Sequence, residues 1–293
     1  MKNIYLMIFA FTISCGFASC SDDDLSSESI FPTTAPTRDS LDEWVLKNYT
    51  YPYNVEFKYK MEDIESDKTY NLVPADSAKS AKLAIVAKYL WFDAYSECVG
   101  TDFVKANVPR MIHLIGSPAY NNNGTMVLGT AEGGYKVTLY MVNSLTDAMF
   151  ANYATLNEYY FHTMHHEFTH ILTQKKPYDK SFDLITESSY VSGDWYQQSA
   201  SVAHKSGFIT PYSMDEPNED IAEMMSVYVT DTPEQWQAVL DDAGTTGAAL
   251  ITKKLEFLRA YMEDSWGLDI DKLRSIVNRR ANGILSLDLE HLN

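Results

Sequence analysis

Residues 160–172 read YFHTMHHEFTHIL, and the five from His166 to His170 carry the pattern His-Glu-x-x-His. In a helix, side chains four positions apart lie on one face, one turn above the other. The two imidazoles can therefore reach one ion, and a histidine pair at this spacing is a zinc-binding pair. Glu167, directly after the first histidine, is placed to take the proton of an attacking water as general base. At roughly 100° per residue, Phe161, Met164, Phe168, Ile171 and Leu172 gather on one side, and His162, His166 and His170 on the other. The apolar side is expected to pack and the imidazole side to look into a cleft. His162 and His166 are also four apart, but only the His166/His170 pair has a glutamate after its first member. His162 and His165 are therefore expected to be structural or supporting.

The third ligand sets the subclass. A third histidine in the HExxHxxGxxH pattern would need Gly and His where Thr173 and Lys176 stand, so it is excluded. The alternative is a glutamate from a later helix, the gluzincin arrangement. The stretch NEDIAEM, Asn218 to Met224, offers one: Glu219, Glu223, Ser226 and Thr230 form a polar stripe, with Ile221, Met224, Met225 and Tyr228 opposite. Glu219 is assigned as ligand. Glu223, one turn on, is assigned to accept the free ring N–H of a ligand histidine. Asp183, Glu187 and Asp194 compete by being nearer in sequence, but their loop-like surroundings, with Gly193, supply no helix face.

Of the 293 residues, 45% are hydrophobic and 13% aromatic, enough to bury a sizeable core. The net charge of −17 opposes nucleic-acid binding, which needs clustered Lys and Arg. Cys15, Cys20 and Cys98 are too few for a disulfide framework and lack zinc-knuckle spacing, so a metal must sit on histidines and carboxylates. Lys2 and the apolar run from Ile4 to Ile13 have signal-peptide dimensions and fall short of a membrane span. Phe17-Ala18-Ser19-Cys20 resembles a bacterial lipobox, with Phe17 where leucine is usual. Residues 1–19 are thus expected to be removed, leaving a lipidated Cys20 that anchors the chain in a membrane. Ser21-Asp22-Asp23-Asp24 and the Ser/Thr/Pro-rich stretch that follows read as a flexible tether over residues 20–37. The acidic run also looks like the surface-export signal of lipoproteins in Bacteroides-like bacteria. An exported lipoprotein of the outer membrane is the expected location; whether it faces the surface or the periplasm stays open, since the acidic run reads equally as a solvated spacer.

Residues 38–293 read as one α+β domain. A short helix over Leu41–Asn48, an alternating strand over Asn54–Lys60, a helix over Ser77–Glu97 closed by a core thiol at Cys98, a strand over Arg110–Ile115, a turn at Tyr120–Gly124 and a second alternating strand over Tyr135–Met141 make a mixed α/β part. Helical periodicity then dominates: Leu156–Leu172, Trp195–Lys205, Glu219–Thr230, Thr232–Asp241, Ala248–Ser265 and Ile270–Arg280. The expected architecture is a zincin-like catalytic domain with its cleft between the two parts. Tyr135–Met141 is expected to be the strand edge along which an extended peptide pairs.

HExxH, the later Glu-Asp-x-Ala-Glu helix, YVSGDWYQQSA from Tyr190, and Gly207-Phe208-Ile209-Thr210-Pro211-Tyr212 resemble the substrate import-associated zinc metallohydrolase lipoproteins of Bacteroides-like bacteria. The resemblance runs from about Tyr159 to Tyr228. It implies a Zn²⁺ metallopeptidase beside an outer-membrane import complex but carries over no substrate; a peptide or protein substrate is what the zinc-hydrolase reading itself leads one to expect. The arrangement is also similar to the catalytic domain of anthrax lethal factor, where a tyrosine about two turns before the ligand Glu belongs to the site. Tyr212 stands there, and its phenol could donate to the oxyanion of a tetrahedral intermediate. The function expected is peptide-bond cleavage by Glu-assisted attack of a water activated at zinc. The alternative is a non-catalytic lipoprotein that captures glycans or peptides for an importer. There the metal would be structural and its coordination closed, for example by His162.

Overall fold

The computed structural model describes residues 37–292, apart from Asp63, Asn122, Asn123, Thr125, Leu128 and Gly133. The signal peptide, Cys20 and the tether before residue 37 lie outside the described residues. Residues 39–293 cluster as one unit.

Three strands form a parallel ladder: β1 (Glu56–Lys58), β2 (Met111–Leu114) and β6 (Lys136–Leu139). A fourth, β5 (Gly129–Glu132), pairs antiparallel with β6 and forms the outer edge, giving the order β1-β2-β6-β5. Two further short strands, β3 (Ala119–Tyr120) and β4 (Met126–Val127), make a hairpin around the expected turn at Tyr120–Gly124. The expected alternation holds at β1, where Val55, Phe57 and Tyr59 are buried. It fails at β6, which is buried along its whole length because both faces of the sheet are covered there, with Lys136 and Thr138 lying under the segment that carries Glu65. The expectation that Tyr135–Met141 is the peptide-pairing edge is corrected: it gives way to β5, which shields β6 and is the outer strand on that side among the described residues.

Helices pack on the sheet and on one another. Helix α1 (Ser40–Val45) runs on through a π-helical turn over Leu46–Thr50, and α2 (Ser77–Ala87) joins α3 (Asp93–Val99) through another at Lys88–Phe92. Helix α4 is His162–Lys175, entered through a wide π turn at Asn157–Phe161. Trp195–Lys205, expected as one helix, divides into a 3₁₀ turn at Ser192–Gln197 and helix α5 (Ala200–Lys205). Helix α6 is Pro217–Thr230 and α7 is Pro233–Trp266. Gly244 interrupts α7 with a φ of 65°, in the gap between the two helices read from the sequence. Helix α8 is Ile270–Asn282.

The apolar side of α4 is buried as its periodicity requires, with Met164, Phe168 and Leu172 fully enclosed. Phe168 meets Trp91 and Tyr95 edge-on, at centroid distances of 5.7 and 4.9 Å. This aromatic cluster fixes α4 from behind and aims its other face away from the core. Burial pushes the Cys98 thiol up to about 11, in keeping with its reading as a core thiol.

Candidate metal centre

Helix α6 lies across α4 and locks to it through its polar stripe. The Ser226 hydroxyl donates to the His162 carbonyl at 2.6 Å, and the Thr230 hydroxyl turns back onto the Ser226 carbonyl. Pro217 at the first helical position presets the start of α6. Glu219 and Asp220 fall in its first turn, where the helix dipole favours negative charge.

This crossing brings His166, His170 and Glu219 together. His166 Nε2 lies 2.9 Å from Glu219 Oε2 and 3.0 Å from His170 Nε2, and His170 Nε2 lies 3.3 Å from the same carboxylate oxygen. The ligands of a tetrahedral ion with bonds of about 2.0–2.1 Å stand about 3.3 Å apart, so the three atoms approximate one face of such a tetrahedron. On the other side of the ring, His166 Nδ1 sits 2.8 Å from Glu223 Oε1. With that N–H given to Glu223, the Nε2 lone pair points at a carboxylate oxygen and another imidazole, a juxtaposition that only a cation relieves. Burial alone would lower the His166 pKa, but hydrogen bonds to Glu219 and Glu223 outweigh it and push it up to about 10. The donor set therefore fits zinc, and without metal a proton takes that place.

Glu223 is a junction. It accepts from His162 Nε2 at 2.7 Å as well as from His166, and from the Thr210 hydroxyl at 2.6 Å. Although burial works against the anion, the two imidazoles and their hydrogen bonds hold its carboxyl well below the usual range. His162 is thus directed to Glu223 and not to the converging three atoms. His165 is fully buried, 3.0 Å from the Tyr95 hydroxyl, and burial depresses it to about 3, keeping it neutral. Among the described residues, Asp183, Glu187 and Asp194 join no cluster of potential ligands; the two clusters are His166/His170/Glu219 and His162/His166/Glu223.

Glu167 lies beside these atoms without joining them. Burial raises its pKa, opposed by the nearby His166 and His170. The Tyr212 ring lies over His166, centroids 5.7 Å apart, with Trp195 edge-on to it at 4.9 Å. Burial and the adjacent Glu219 raise the phenol, so it stays protonated. Two cavities open on either side of the Glu167–Tyr212 pair: one of 530 Å³ reaching His170, Tyr178 and Lys180, the other of 350 Å³ reaching Val127, His162 and Trp195.

On the far side of α6, Asp220 pairs with Lys254 of α7 at 2.6 Å, both fully buried. The Tyr190 hydroxyl donates to Asp220 at 2.8 Å, and the ammonium lies 3.8 Å from the Phe208 ring centroid. Nothing in the sequence marks this pair, and Thr210 and Trp195 stand out there only as members of the stretches that carry the resemblance, without a role at the site. A lysine in the middle of a helical pattern carries no sign of burial.

A family model described as "Putative zinc-binding metallo-peptidase" matches residues 34–271. The chain belongs to this family. Zinc is accordingly its metal, and a metallopeptidase its class. A crystal structure of a "putative zinc-binding metallo-peptidase from Bacteroides caccae" is similar, at 47% identity and a TM-score of 0.78. The match covers 90% of this metallopeptidase chain and all of that one. No curated protein matches.

Proposed function

We propose that the protein is a gluzincin-type peptidase in which His166, His170 and Glu219 hold zinc and Glu167 is the general base. It works as a lipid-anchored protein at the outer membrane, in association with nutrient import. The observation that carries the reading is the meeting of three donor atoms within 3.3 Å beside Glu167, a half-buried carboxylate that belongs to neither ligand cluster. Once bound, zinc supplies a Lewis acid that acidifies water and polarises a carbonyl.

The chain's own groups do the rest. Glu167, its basicity raised by burial, takes the proton of the attacking water and returns it to the departing amine. Tyr212, kept protonated, donates to the oxygen that gains charge at the scissile carbonyl. Glu223 fixes the ring orientation of His166. Strand β5 is the outermost described strand of the sheet, the position at which an extended peptide would add by backbone pairing.

The test compares wild type, Glu167→Gln and Tyr212→Phe on a broad peptide library, with zinc content measured for each. Glu167→Gln should keep its zinc and lose about 10²–10⁴-fold in kcat/KM, with a smaller loss for Tyr212→Phe. Full activity in zinc-loaded Glu167→Gln removes the assigned base. A zinc-loaded wild type inert on every peptide replaces the peptidase with a binding lipoprotein.

A further inference from the structure

The two cavities beside Glu167 differ in chemistry, and β5 gives the cleft a direction. Gly129, at the start of β5, lies over Thr163, where an added Cβ would stand 2.7 Å from its methyl carbon; Gly134, just past the end of β5, lies over Ile171. The strand and its following turn therefore run the same way as α4. The eight residue steps from Thr163 to Ile171 span about 12 Å of helix, with Glu167 midway. A peptide added to the edge of β5 pairs more favourably antiparallel than parallel. Its chain then runs from the Ile171 end, past Glu167, towards the Thr163 end.

The residue after the scissile bond consequently enters the 350 Å³ cavity. Met126 and Val127 of β4 and the rings of Trp195 and Tyr212 supply its apolar and aromatic walls. Among its lining residues the carboxylates are Glu167 and Glu223, both committed to the site, and there is no Lys or Arg. The residue before the bond faces the larger cavity, where Gln174, Lys180, Glu216 and Asn218 make a polar wall.

Resting on the peptidase reading above, we infer that the enzyme cleaves on the amino side of large apolar or aromatic residues, selected by the β3–β4 hairpin and Trp195. Exchanging a large apolar side chain for a small or charged one at that position removes its contact with these walls, and should lower kcat/KM about tenfold or more.

The test digests a randomised peptide library with the zinc-loaded protein and reads both sides of each cut by mass spectrometry. The expected result is enrichment of Phe, Tyr, Leu or Met immediately after the bond, with weaker selection before it. Val127→Asp and Trp195→Ala, checked for unchanged zinc content and melting temperature, should flatten that preference while cleavage persists. Should either variant fail to fold, wild-type kcat/KM on a matched pair, Phe against Asp after the bond, decides in its place. Enrichment before the bond would mean the peptide runs parallel to β5, and uniform cutting would mean the hairpin selects nothing; either overturns the inference while leaving the peptidase intact. A zinc-loaded protein that cuts no peptide overturns the peptidase reading itself, and this inference with it.

Discussion

Replacing Glu223 with Gln tests how the buried acid on α6 acts on the metal. Glutamine fills the same space, and its amide can give the carbonyl oxygen to His162 and His166 while its NH₂ meets the Thr210 hydroxyl. The hydrogen bonds can therefore all be kept, and what goes is the charge. A bond from imidazole to a carboxylate contributes about 1.5–3 kcal/mol, against about 1 for a neutral partner. Glu223 is 3% exposed, so solvent screens that difference little. A loss of about 1.4 kcal/mol corresponds to tenfold, and loss of the carboxylate's attraction for the ion adds to it. The zinc dissociation constant should rise 10–100-fold, in the range found when partners of ligand histidines are removed. Competition against a chromophoric chelator measures it, with circular dichroism confirming the fold. An unchanged constant would refute the idea that Glu223 works through His166. Complete loss of zinc, with retention in Glu219→Gln, would move the ion to the His162/His166/Glu223 cluster.

Without metal, His166 is protonated up to about pH 10, so zinc binding at pH 7.5 must expel that proton; calorimetry in buffers of different ionisation enthalpy should report about one proton released from this site. Because the folded pKa lies above the ordinary 6.5, this group's contribution to the metal-free fold is fully present below pH 6.5 and is lost as pH rises through about 10. The metal-free melting temperature should fall across that window, and a flat profile would contradict the arrangement. Lys254→Met leaves Asp220 buried without its cation and should cost about 3–5 kcal/mol in denaturant unfolding, while Lys254→Met with Asp220→Leu should recover much of it. Fatty-acid labelling should mark the wild-type chain and spare Cys20→Ala; equal labelling would end the lipoprotein reading.

Helix α4 was legible because its signal is local: a 3.6-residue apolar period and a histidine pair whose spacing has chemical meaning. The break at Gly244 was legible for the same reason, since the apolar period lapses around it. Strand β5 was not. Gly129-Thr130-Ala131-Glu132 has no alternation of large residues, and it is extended because β6 supplies its hydrogen bonds. Missing β5 is also what placed the edge at β6. Lys136 and Thr138 read as a solvent-facing row, yet both are buried, with the Lys136 ammonium reaching the Glu65 carbonyl at 2.9 Å.

The start of α6 carries the same lesson in a stronger form. Three carboxylates within five residues, Glu219, Asp220 and Glu223, read in isolation as a solvated helix end. In the fold Asp220 and Glu223 are buried and Glu219 is mostly covered, a costly arrangement unless each acid is compensated separately. Each is: Glu219 by the two motif histidines, Asp220 by Lys254 and Tyr190, Glu223 by His162, His166 and Thr210. Every partner lies at least ten residues away, so no window of the sequence displays the compensation. Two of the three acids turn towards α4 and one towards α7, so the same residues that build the candidate metal site also fix the rotation of the helix that carries it. Burying charge on both sides of one helix turn is what a sequence selected for stability alone would avoid, and the proposed metal site gives the Glu219 and Glu223 side of α6 a functional reason to carry it.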